Sequence, residues 1–106
     1  MLSITFTFLD NLIKEKEMNS YIVTYDLIKR KDYPELFKAL ESYTTTWHCL
    51  GSSWIVKTDK TAAQLFDHLF QHIDADDKLI VIRLVRDAKW TGSFSEACKK
   101  WLDDNL

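Results

Sequence analysis

Glycine and proline are nearly missing from this chain: two glycines and one proline in 106 residues. These residues supply most sharp breaks in a backbone, so their scarcity leaves little room for long irregular loops. One domain with short connections follows. Cysteine is just as scarce. Cys49 and Cys98 make no disulfide framework, and neither has the paired spacing with histidine that a zinc site uses. They are expected to be two reduced, largely buried thiols of a cytoplasmic protein. A basic excess is absent too. The formal net charge of −2 argues against tight, salt-driven binding to bulk DNA, while leaving room for a local basic patch. No apolar run approaches the ~20 residues needed to cross a bilayer, so no membrane partner is expected. What the chain does have is apolar content, at 46%. That is enough for a packed core without disulfides or metal.

Residues 1–17 stand apart. MLSITFTFLDNLI is apolar but is interrupted by Asp10 and Asn11, with no basic segment before it and no small-residue cleavage site. The charged run at 14–17 then leads directly into Met18. Two readings stand side by side: an N-terminal extension arising from a misassigned start, with the natural chain beginning at Met18, or an extra edge strand over Ile4–Leu9. N-terminal sequencing of protein made from the native gene separates them.

From residue 18 to 106 the pattern is strand, helix, strand, strand, helix, strand, and a last helix. SYIVTYDL at 20–27 reads as a strand with Val23, Tyr25 and Leu27 on one face and Ile22, Thr24 and Asp26 on the other. Asp32 caps a helix with Pro34 in its first turn and Glu35 three residues on. Tyr33, Leu36, Phe37, Leu40 and Tyr43 form its apolar stripe. Residues 44–50 and 53–58 form a hairpin around Gly51-Ser52, a pair suited to a type II′ turn. That register sets Cys49 against Trp54 and Trp47 against Val56, all four under the helices, with His48 and Ile55 on the opposite face. Thr61 and Gln64 make a capping box for a second helix, and 78–85 (KLIVIRLV) is a strand. Ser93 and Glu96 make a further box for the last helix. Right-handed crossovers place the first two helices on one face of a sheet in the order fourth, first, third, second strand. The fold class is therefore α+β, a ferredoxin-like βαββαβ sandwich with an extra C-terminal helix. Its second face mixes apolar and polar groups, so the last helix or a partner subunit should cover it.

YIVTYDL at 21–27, SSWIV at 52–56 and DDKLIVIRL at 76–84 resemble the small subunit of the CRISPR adaptation complex and the VapD-like proteins that share its fold. The segment WHCLGSSWIV is similar to an uncharacterised bacterial branch labelled SinR-like. The resemblance covers roughly residues 18–106 and implies a homodimer whose sheets meet through their open faces. In the nuclease members, an Asp ending the first strand helps hold a divalent metal, Mg2+ or Mn2+, near the two-fold axis. Asp26 matches that position. The chain departs from the pattern after Asp26, where Ile28-Lys29-Arg30-Lys31 precedes the Pro34 helix start, and in its WHC segment, which the CRISPR subunits lack.

The residues themselves leave each role open. One Asp per chain is too few for a hard cation, but a dimer could bring two Asp26 carboxylates together with water and substrate phosphate. The plainer reading is a turn carboxylate accepting backbone N–H groups. His48, expected on the same face, has the titration range of a general acid or base, or it is a hydrogen-bonded structural residue. Arg83, between apolar neighbours, would pair with Asp26 and compete with metal. Lys29, Arg30 and Lys31 either hold nucleic-acid phosphates or form a solvated loop. Trp47 and Trp54 suit core packing better than base stacking. Cys49 and the Ser52-Ser53 pair have no activating base in view. Two functions are consistent with these residues. One is a small metal-dependent endonuclease acting on RNA or DNA across a homodimer groove, or a toxin-like protein of the family it resembles. The other is a non-catalytic homodimeric interaction or regulatory module that kept the fold and lost the metal site.

Overall fold

Strict alternation along the first strand organises the molecule. A computed structural model describes residues 18–28 and 33–106. In it β1 (Asn19–Asp26) buries Tyr21, Val23 and Tyr25 on one face, continued by Leu27, and turns Ile22, Thr24 and Asp26 to the other, as the sequence pattern predicts. The remaining elements are α1 (Tyr33–Glu41), β2 (Thr45–Leu50), β3 (Ser53–Thr58), α2 (Ala62–Phe70), β4 (Lys78–Arg83) and α3 (Glu96–Asn105). The four strands form one antiparallel sheet in the order β2-β3-β1-β4, the expected order, and the class is α+β. The N-terminal extension, the alternative edge strand expected over Ile4–Leu9, the Lys29–Lys31 cluster and the cap expected at Asp32 lie outside the described residues.

The main core forms where α1 and α2 meet the sheet. Leu36 and Leu40 from α1 and Leu65 and Leu69 from α2 have no exposed surface, and they pack with Tyr21, Val23, Tyr25, Trp54 and Val56. The polar atoms that enter this layer are paired: the Trp54 indole donates to the Tyr25 hydroxyl at 3.1 Å, and the Tyr21 hydroxyl donates to the Lys60 carbonyl at 2.7 Å. The predicted capping box of α2 is present in both directions, with Gln64 N–H donating to Thr61 Oγ1 at 3.1 Å and Thr61 N–H to Gln64 Oε1 at 2.9 Å. Asp77 is buried in the turn before β4. Its Oδ1 accepts the Ile28 N–H and its Oδ2 the Asp74 N–H, both at 2.8 Å, which ties the exit of β1 to the acidic turn.

The hairpin departs from expectation. Leu50 opposes Ser53 as predicted, but Trp47 opposes Ile55 and Thr46 opposes Val56. Between the two pairings His48 and Cys49 together face the single residue Trp54, which is a β-bulge. No glycine has a positive φ, so the Gly51-Ser52 turn is not type II′. A shift of one residue in a strand exchanges its faces. Trp47 and Cys49 therefore face α3 rather than the α1/α2 layer, and His48 moves to the α1/α2 side.

The second face is covered in part by α3. Leu102 is buried with Trp47 and Ile55, and Phe94, Cys98 and Trp101 pack around them. The Trp47 indole donates to the Cys98 carbonyl at 3.2 Å. The cysteines expected as free thiols are joined: Cys49 and Cys98 form a disulfide, with Cα atoms 6.4 Å apart. The bulge is the physical reason, since it points Cys49 at α3. The cap of α3 also moves by two residues. Ser95 is the N-cap and its hydroxyl accepts the Cys98 N–H, while the Ser93 hydroxyl bonds Thr91 at 2.9 Å. The β1/β4 half of this face stays open, with Ile80 and Ile82 each 49% exposed. Among the described residues no helix is long and apolar enough to cross a membrane.

Candidate functional site

Asp26 ends β1 on the open face, exposed to solvent, as its alternation predicts. Its cross-strand partner is Lys78. The two residues line a shallow depression of about 260 Å³ with Thr24 and Ile80. Among the described residues, no three His, Cys, Asp or Glu side chains are grouped to hold a metal ion.

The other residues expected near Asp26 lie elsewhere. His48 sits on the opposite side of the sheet, stacked on Trp54 with ring centroids 4.1 Å apart and edge-on to Phe37 of α1 at 5.2 Å. It remains exposed at the rim of the helical layer. The bulge is the cause, and it separates the two candidate catalytic residues. Arg83 is not buried and is not the partner of Asp26. It pairs across the strands with Tyr21, at the other end of the β1/β4 ladder. Five residues of strand make that about 17 Å away. Arg83 instead lines a wide groove of about 590 Å³ with Lys57, Arg86 and Asp104, where β1, β3, β4 and the end of α3 come together. The hairpin serines serve structure: the Ser52 carbonyl accepts the Thr24 hydroxyl at 3.1 Å, and the Ser53 hydroxyl donates to Thr24 Oγ1 at 3.0 Å.

A different cluster of titratable groups forms between α1 and α2. His68 on α2 hydrogen-bonds through Nδ1 to the Tyr43 hydroxyl. His72, four residues on and just past the helix, approaches Glu35 of α1 with Nδ1 3.9 Å from Oε2. The two imidazole centroids are 5.6 Å apart with the rings nearly perpendicular. Partial burial lowers the pKa of His68 below the ordinary imidazole value, and the charges of His72 and Lys60 push the same way. Burial raises that of the Tyr43 hydroxyl. Pro34, Glu35, Lys38, Ala39, His68 and His72 line a groove of about 480 Å³. The signal in the sequence is the four-residue spacing of His68 and His72, which a search centred on strand ends passes over. No family model and no solved structure matches this chain.

Proposed function

We propose that this chain is a homodimeric interaction module whose two copies meet through the open β1/β4 half of the sheet. The observation that carries the proposal is the strip of Ile22, Ile80 and Ile82 on that half, where Ile80 and Ile82 remain 49% exposed and take no part in the cluster around Leu102 of α3. Exposed isoleucines in a row on a sheet face favour burial against another surface. A two-fold contact pairs residue i with j and j with i. With Asp26 beside Lys78 at one end of the strip, a rotated copy can set acid against base. The resemblance to the small CRISPR adaptation subunit and the VapD-like proteins implies the same face-to-face dimer. In sedimentation experiments the full chain should behave as a dimer, and Ile82→Glu should make it a monomer with unchanged far-UV circular dichroism. A full chain that stays monomeric at high concentration overturns the proposal.

A second reading rests on Asp26, which is exposed at the edge of that strip. A dimer through this face could bring two Asp26 carboxylates into one groove. Mg2+ or Mn2+ would then complete its shell with water and a nucleic-acid phosphate, giving a small divalent-dependent endonuclease. Lys29, Arg30 and Lys31 follow Asp26 in the chain and would add phosphate contacts. His48 takes no part, because it lies across the sheet. The test is divalent-dependent cleavage of RNA or DNA that Asp26→Asn abolishes while the dimer persists. Cleavage that survives Asp26→Asn, or no cleavage by the dimer, leaves the interaction module alone.

A further inference from the structure

We propose that His68 and His72 form a binding site for a borderline transition-metal cation, of the Zn2+, Ni2+ or Cu2+ class, in the groove between α1 and α2. His68 lies in the last turn of α2 and His72 in the turn that continues it, where the His72 N–H donates to the Leu69 carbonyl at 3.0 Å, so the two rings come together on one side and two imidazoles can share one ion. A ligating nitrogen sits about 2.0–2.1 Å from zinc, which puts each ring centre about 3.2 Å from the ion. Two rings at a tetrahedral angle then have centres about 5.2 Å apart. The observed separation is 5.6 Å with an interplanar angle of 86°. The ring centres therefore lie within about 0.4 Å of the spacing that a two-imidazole chelate uses.

The surroundings fit the same assignment. Each Nδ1 already faces an oxygen group: the Tyr43 hydroxyl for His68 and the Glu35 carboxylate for His72. That leaves Nε2 of each ring as the ligand atom. Metal-bound imidazoles are characteristically held through their other nitrogen by a carboxylate or another oxygen, which orients the ring and raises its basicity. Glu35 is well exposed and has room to close the 3.9 Å gap to His72. Lys38 lines the same groove as Glu35. With two protein ligands, the remaining positions belong to water or to an oxygen-bearing ligand, so this is an open site rather than a closed structural one. Nitrogen donors select Zn2+, Ni2+ or Cu2+ over Mg2+ and Ca2+, which prefer oxygen. The inference is therefore independent of Asp26 and of dimerisation.

The experiment uses the full chain without an affinity tag, because a polyhistidine tail would mask the site. Zn2+ and Ni2+ binding is followed by calorimetry, and the Cu2+ form by electron paramagnetic resonance. Saturable binding of one ion per chain is expected, with two coordinated imidazole nitrogens in the Cu2+ spectrum. His72→Gln and His68→Gln should each weaken binding at least tenfold and remove one nitrogen from the spectrum. Glu35→Gln should weaken it about tenfold through the lost outer contact. His48→Gln, the change at the third histidine, should leave binding unaltered. His72 lies past the end of α2, so His72→Gln tests the site even if His68→Gln disturbs folding through Tyr43. No saturable binding, binding insensitive to His72→Gln, or equal loss in His48→Gln each overturns the proposal.

Discussion

On one side of the sheet, α1 and α2 bury Leu36, Leu40, Leu65 and Leu69 completely against β1 and β3. On the other side, α3 contributes Leu102 as its one buried residue, packed with Trp47 and Ile55, while Ile80 and Ile82 stay half exposed. The first layer is closed by two amphipathic helices whose stripes match the alternation of the strands. The second rests on a single helix over the β2/β3 half, with a disulfide as its tether. The contrast shows where each kind of adhesion suffices. Apolar area alone secures a helix with a full complementary surface. A helix reaching only half a face gains from a covalent link that lowers the entropy of its detached state.

The largest effect that should separate the two layers is truncation of a buried leucine. Leu65→Ala should cost about 4 kcal/mol, because Leu65 has no exposed surface and packs in a cluster of buried residues. Leu102→Ala should cost about 2 kcal/mol, since several of its neighbours, Phe94 and Trp101 among them, are only partly buried and can relax. Equal losses in urea titrations would erase the distinction between the layers. The next effect sharpens it. Cys98→Ser opens a loop spanning 49 residues of sequence and should cost about 3 kcal/mol. Hydrogen exchange should quicken across α3 and β2 while α1 and α2 keep their protection. Uniform loss of protection would mean that the tether holds the whole fold rather than one layer. The smallest effect belongs to the first layer. Thr61→Ala removes the reciprocal cap of α2 and should cost about 1 kcal/mol, with faster exchange limited to the first turn of that helix.

Much of the first layer could be read from the chain. β1 alternates without interruption, so the burial of Val23 and Tyr25 and the outward direction of Asp26 follow from a period of two. The capping box at Thr61 and Gln64 is local chemistry and appears as written. The strand order follows from handedness rules. The candidate site was legible only for Asp26. His48 was placed from the turn, and a turn sets register only while the ladder continues unbroken. The extra residue in β2 ended that inference two positions later, and with it the expected free thiols. Arg83 looked buried because its neighbours are apolar, but the end of an edge strand leaves it in solvent. The histidine groove needs α1 and α2 side by side, and nothing in either helix alone indicates their contact.

By itself the chain determined which residues form strands and helices, the sheet order and the inner face of β1, because periodicity, caps and chirality act over a few neighbours. Tertiary structure alone decided the bulge at His48 and Cys49, the Cys49–Cys98 link, and the meeting of His68 and His72 with Tyr43 and Glu35. Those depend on how whole elements settle against one another. A one-residue slip reverses a strand's faces, and no local signal in the sequence records it.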